Sequence, residues 1–294
     1  MGYINTESLV QKASFLRIQA RSLAEGMKTG NFRSLYRGQG IEFSGVRDYI
    51  RGDDIRSIDW NVTARMGRPY VKIFEEEREL QIFIVMDTSA SMLLDCGSRL
   101  PSKYQAGANT AALITIASEM NGCPVGAVFF DGKIHFSCKP AFGKERTMLL
   151  LTHLDKLPEK RTQGSVLSNA LIGANKLLRK RSLVFVISDF RSSDWETPLI
   201  QLAQKNDVVA FRMTDEFDRA LPSLGTVIFK DVESDLKMEL PSSSQKLKEE
   251  WKNRNESMVW RWQETCSRHG IISYVMNVSD EPLEILSSVF EAAK

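Results

Sequence analysis

Two short runs of the chain are apolar at every position. Ile82 to Met86 is the first, and the stretch SLVFVIS, Ser182 to Ser188, holds the second. Unbroken apolar runs of this length fit strands buried on both faces of a sheet. Helical spacing surrounds them. Lys103 to Met120 is Ala-rich with apolar positions at helical intervals, and helices are also predicted over Glu145–Leu157, Ser165–Arg179 and Asp194–Gln204. Val125–Phe130 and Ile134–Phe136 read as strands joined at Asp131-Gly132, a hairpin signal. Val208–Arg212 and Ile271–Met276 are further strands, and Pro282–Ala292 a last helix.

This alternation predicts an α/β fold, a doubly wound and mostly parallel sheet with helices on both faces. The Ile134 strand is its one antiparallel edge. Residues 215–244 break the rhythm, and Thr226–Lys230 with Leu236–Leu240 predict a small β-hairpin inserted and added to the sheet. Gln245–Arg268 reads as a long charged helix. Its Leu247, Trp251, Met258 and Trp262 form a stripe that suits a core better than a binding groove.

The first eighty residues have a different texture. Thr6 to Met27 carries Leu9, Phe15, Leu16 and Leu23 at helical spacing and stops at Gly26. From Lys12 to Arg37 six basic residues face one acid, Glu25, so this basic N-terminal helix suits nucleic acid, an acidic partner or plain solvent. Tyr36 to Glu79 is dense in Gly, Arg, Asp and aromatic residues. Asp53, Asp54 and Asp59 have the look of a nuclease carboxylate cluster. Arg47, Arg51, Arg56 and Arg65 interleave with them, and Arg–carboxylate pairing is the more economical expectation. With little apolar content of its own, this N-terminal lobe (1–79) is expected to pack on the domain formed by 80–294.

Composition narrows the function. Of 294 residues 43% are hydrophobic and 26% charged, which suits a globular chain. A net charge of +2 gives no global field toward nucleic acid, so nucleic-acid binding is not the leading expectation. No apolar run approaches a membrane span and no apolar signal core opens the chain, so a cytoplasmic location is expected. Cys96, Cys123, Cys138 and Cys266 are scattered without CxxC spacing, which argues against a zinc knuckle or a disulfide framework. His135, His153 and His269 fall in separate elements and are expected to have surface or satisfied structural roles rather than catalytic ones.

The chemistry concentrates just after the first buried strand. Asp87, Ser89 and Ser91 place one carboxylate and two hydroxyls at i, i+2 and i+4. In a parallel α/β sheet, the loops beyond the strands' carboxyl ends are where ligands bind. The second buried strand ends at Asp189. Between the two lies Gly164-Ser165-Val166-Leu167, a glycine–hydroxyl turn opening a helix. Such a set of hard oxygens suits Mg²⁺, or Mn²⁺, better than zinc.

These three loops resemble the von Willebrand factor A domain and its metal-ion-dependent adhesion site. The family pattern is DxSxS, then a Thr, then an Asp. It falls on Asp87, Ser89, Ser91 and Asp189, with Ser165 best matching the Thr position and Thr162 the other candidate. Ser at that position keeps the hydroxyl and loses the methyl that restricts its rotamer. The resemblance implies a metal bound by Asp87, Ser89, Ser91, Ser165 and Asp189, and a partner protein offering an acidic residue to it.

A second resemblance is carried by GxEFxxxRxYxxGDDxRxIDWxxTAR, over Gly40, Glu42, Phe43, Arg47, Tyr49, Gly52, Asp53, Asp54, Arg56, Ile58, Asp59, Trp60, Ala64 and Arg65. VKxFEEER and the DxSxSM strand follow it. This long pattern resembles the domain-of-unknown-function 58 family, whose bacterial members often stand beside MoxR-type AAA+ ATPases. The resemblance implies a chaperone-like adaptor for such an ATPase in assembly or maturation. No ATP-binding motif is present, so the energy would come from the partner. No His or Lys lies in the three loops, and Asp95 and Asp194 are their nearest extra carboxylates. A non-enzymatic interaction module is therefore expected, with a metal-dependent hydrolase or nuclease, or nucleic-acid binding through the basic helix, as the alternatives.

Overall fold

The computed structural model describes residues 39–75, 80–94, 101–156, 164–221, 223, 225–230 and 237–292. The predicted helix Thr6–Met27, the candidate ligand Thr162, Asp95 and Cys96 lie outside them.

Six strands form the central sheet: β3 (Ile82–Asp87), β4 (Val125–Phe130), β5 (Ile134–Ala141), β6 (Leu183–Ser188), β7 (Asp207–Thr214) and β10 (Ile272–Asn277). Their order is β10-β7-β6-β3-β4-β5, parallel except for β5, which runs antiparallel to β4 at the edge. The fold class is therefore the one the alternation predicted. β3, β4 and β6 are buried at every position, as their unbroken apolar spelling requires.

Alternate strand residues feed two cores. Ile82, Ile84 and Met86, with Phe185 and Ile187, face α3 (Lys103–Met120), α4 (Lys144–Asp155) and α9 (Pro282–Ala292). Phe83 and Val85, with Val184 and Val186, face α5 (Leu167–Leu177), α6 (Glu196–Ala203) and α8 (Gln245–Arg268). Helix α3 lies close on the sheet at Gly107, where an added Cβ would stand 2.9 Å from Ile187 Cγ2. After β3 the chain turns to the α3 face; after β6 it turns to the α6 face. The crevice between these two strand ends is thus a topological switch point, the place where such sheets bind ligands.

Two expectations need correction. The hairpin of β8 (Thr226–Lys230) and β9 (Lys237–Pro241) is not added to the main sheet but stands as a separate two-stranded sheet. The edge strand β5 runs on to Ala141, well past Phe136. Its half-exposed pattern, with Lys139 and Pro140, spells a loop in sequence, as edge strands often do.

The N-terminal part contributes β1 (Gln39–Asp48), paired antiparallel with β2 (Tyr70–Glu75), and the short helix α1 (Trp60–Met66). Its acidic residues are not equivalent. Asp53 takes Arg47 in a two-pronged pair at 2.6 and 2.7 Å, as expected. Asp54 and Asp59 instead cap helical turns, Asp59 accepting from Asn61 N and Val62 N. Backbone donors at helix starts must be satisfied, and a short carboxylate does it locally.

Candidate functional site

The loop after β3 folds back on its own carboxylate. Ser89 N donates to Asp87 Oδ1 at 2.9 Å, and the hydroxyls of Ser89 and Ser91 meet at 3.1 Å. Ser91 lies in α2 (Ala90–Leu93), which follows directly. From the neighbouring β6, Ser188 Oγ donates to Asp87 Oδ2 at 2.6 Å and accepts from Phe190 N at 3.0 Å. Asp87, Ser89, Ser91 and Asp189 are all buried, together at the ends of β3 and β6. Burial first, and then the charge of Asp189, push the Asp87 carboxyl well above the ordinary range, against the hydrogen bonds from Ser188 and Ser89.

Ser165 sits where the chain enters α5. Val166 N donates to Asp131 O at 2.9 Å, which ties this turn to the end of β4. Gly164 precedes it at φ +89°, a conformation that favours glycine. Ser165 Oγ is buried without a hydrogen-bond partner, and so is Asp189 Oδ2. Buried oxygens of this kind ordinarily find partners. Among the described residues no group of three or more His, Cys, Asp or Glu side chains is placed to hold a metal ion. The gathered donors are instead two carboxylates and several hydroxyls, all hard oxygens. That set, with Ser165 Oγ unbonded and Asp189 Oδ2 met only by Lys103 and Arg191 at 4.0 Å, fits a small divalent cation such as Mg²⁺ or Mn²⁺.

Sequence reasoning missed the cations around this site. Lys103, at the start of α3, is only 2% exposed. Its Nζ lies 3.0 Å from Asp218 Oδ2, 3.5 Å from Asp215 Oδ2 and 4.0 Å from Asp189 Oδ2. Asp215 and Asp218 are the two ends of a reciprocal cap on α7 (Glu216–Arg219). Arg191 also pairs with Asp218. The spacing of Asp215 and Asp218 signals a cap; nothing in the sequence signals that Lys103 reaches it.

His135, expected to have a surface or satisfied structural role, makes a hydrogen bond with Thr88. Thr88 Oγ1 lies 2.9 Å from Phe130 O and 2.8 Å from His135 Nε2. The hydroxyl has one proton, and it goes to the carbonyl. His135 therefore donates to Thr88 through Nε2–H and fastens the loop. Burial lowers its pKa, against the charge of Asp131. Cys138 and Cys266 are free thiols.

The family model described as "Protein of unknown function DUF58" matches residues 45–258, spanning the Arg47–Asp53 pair, the Asp87 loop and Asp189. The chain belongs to the DUF58 family. Two mycobacterial relatives, the uncharacterized proteins Rv1480 of Mycobacterium tuberculosis and Mb1516 of Mycobacterium bovis, are each 30% identical over 236 residues. Each match covers 79% of this chain and 74% of the relative. In fold, this DUF58 chain is similar to an aerotolerance-related membrane protein from Bacteroides fragilis (TM-score 0.51, 16% identity), over 73% of this chain and 98% of that one. The SpRpn10 VWA domain also aligns, at TM-score 0.38 and 14% identity over 71% of this chain and 94% of its own. No helix among the described residues is long and apolar enough to cross a membrane.

Proposed function

We propose that this DUF58 chain is a non-enzymatic, metal-dependent protein-interaction module, an adaptor that works with a MoxR-type AAA+ ATPase in protein assembly or maturation. The observation that carries the reading is that two buried oxygens at the candidate ligand positions, Ser165 Oγ and Asp189 Oδ2, make no hydrogen bond, while the Asp87–Ser89–Ser91 loop gathers its own oxygens. Asp87, Ser89, Ser91, Ser165 and Asp189 would hold the cation. When bound, Mg²⁺ or Mn²⁺ supplies a coordination position that accepts a carboxylate from a partner. The protein's own part is positioning: Ser188 and Ser89 N orient Asp87, while His135 and Phe130 O fix the loop backbone at Thr88.

The side chains around the site support binding over hydrolysis. A hydrolytic centre needs a base beside its water. His135 is engaged with Thr88, and Lys103 is held by Asp215 and Asp218. The ATPase partner is supported by the family resemblance alone. It is tested by retention of a purified MoxR-type ATPase on the immobilised chain, in Mg²⁺ and in EDTA, for wild type and Asp87→Ala. Retention by wild type in Mg²⁺ only is expected. Retention that is equal in EDTA, or equal in Asp87→Ala, contradicts the reading.

A further inference from the structure

A groove of about 800 Å³ opens between the loop that follows Asp189 and helix α8. Its inner wall holds a side chain of unexpected type. On β7, Val208 and Ala210 point into the apolar core, and Arg212 continues their alternation at the strand's carboxyl end. Only 5% of Arg212 is exposed. Its guanidinium lies 5.9 Å from the centre of the Trp262 ring. Among the described residues it has no hydrogen-bond acceptor and no carboxylate at ion-pair distance; Asp189 and Asp218 act on it only at longer range. Burying an arginine in this way is costly, and such charges are normally paired.

Two neighbours share the same deficit. Trp262 and Ser192 are among the groove's lining residues, and their Nε1 and Oγ atoms are buried without a hydrogen-bond partner. Guanidinium and indole N–H groups can only donate, and a hydroxyl can donate as well. What is missing at this wall is therefore an acceptor, and beside an arginine that acceptor is best an anion. The rest of the lining agrees. Arg254 and Arg261 stand exposed at the rim, and Glu196 reaches Arg261 at 3.4 Å. Asp194 is the other acid in the lining. Trp195, Trp251 and Trp262 supply flat apolar walls. Phe190 and Asp194, which bracket the loop, adopt φ +52° and +60°. For a bulky Phe that conformation is strained, and strain of this kind gathers at binding sites. The volume lies within the usual range for small-ligand pockets.

We propose that this groove is a binding site for a small oxyanion ligand, a carboxylate or phosphate carried on an aromatic body, with Arg212 receiving the anionic group. Nothing in this assignment rests on the proposed cation site, although Asp189 lies within electrostatic range of Arg212.

The test uses the full chain in EDTA, so that metal binding plays no part. Phenyl phosphate, benzoate and neutral benzamide are titrated, and tryptophan fluorescence and calorimetry are read. One or both anions are expected to bind and to change the fluorescence, and the tighter of the two identifies the oxyanion. Benzamide is expected to bind about tenfold more weakly or worse, because it has no charge to meet Arg212. Arg212→Leu, which continues the apolar pattern of Val208 and Ala210, is expected to fold and to lose about tenfold or more in affinity. Arg254→Glu, at the exposed rim, is expected to weaken binding in a folded protein whatever Arg212→Leu does. No binding by either anion overturns the proposal. So does benzamide binding equal to benzoate, or anion affinity unchanged in Arg254→Glu and in a folded Arg212→Leu.

Discussion

The ammonium of Lys103 lies 4.0 Å from Asp189 Oδ2, and almost none of the lysine is exposed to water. It starts helix α3, where the helix dipole disfavours a positive charge. Asp215 and Asp218 offset that cost at shorter range. The lysine thereby couples the candidate cation site to the cap of α7.

Lys103→Met tests both sides of this coupling. Removing one partner of a buried ionic cluster leaves carboxylates uncompensated and costs roughly 3–5 kcal/mol. Stability in EDTA, measured by denaturant unfolding, should therefore fall. Removing a positive charge beside Asp189 should also make the site more attractive to a cation. The metal-linked rise in unfolding temperature should be larger than in wild type, opposite in sign to the loss of basal stability.

The raised Asp87 pKa sets a pH dependence. A carboxyl whose folded-state pKa lies above its unfolded value contributes stability at low pH and loses it as pH rises through the folded value. The metal-free protein should thus lose stability as pH rises beyond the ordinary carboxylate range. A cation competes with the proton on Asp87, so the shift produced by Mg²⁺ should be greater at pH 8 than at pH 5. Thermal unfolding at the two pH values, with EDTA and with Mg²⁺, checks both signs.

His135→Ala separates fastening from ligation. It removes one donor to Thr88 and should lower stability by about 1 kcal/mol, while the metal-linked shift persists. Abolition of that shift would place His135 in the site itself.

Gly126→Ala tests the packing of the edge strand. An added Cβ would stand 2.6 Å from Pro140 N and 2.8 Å from Cys138 O, both backbone atoms of β5. Backbone cannot step aside as a side-chain end can. A loss of roughly 1–3 kcal/mol is expected in the denaturation midpoint.

The residues explain what the sequence made legible. QIFIVMD and SLVFVIS announce themselves because a strand buried on both faces has no polar side to blur the pattern. The candidate ligands Asp87, Ser89 and Ser91 are local in sequence, and the second buried strand ending at Asp189 strengthens their spacing as a signal. β5 was cut short because an exposed edge tolerates polar residues and a proline. Lys103 was invisible because lysines are almost always exposed, and its nearest partner, Asp218, lies 115 residues away. Arg212 was hidden for a like reason. It occupies an apolar place in a strand, and only the tertiary arrangement reveals that it lacks a partner.

The most direct test of the central claim is a calorimetric titration of the metal-free protein with Mn²⁺, for wild type, Asp87→Ala and Asp189→Ala. Wild type should bind the ion, and both variants should lose that binding. At a free concentration of a hundred times its dissociation constant, the ion should add about 2.7 kcal/mol to the stability of wild type alone. Mn²⁺ binding that survives unchanged in Asp87→Ala and Asp189→Ala, or a wild-type protein that binds no ion, would contradict the assignment of these oxygens to a metal.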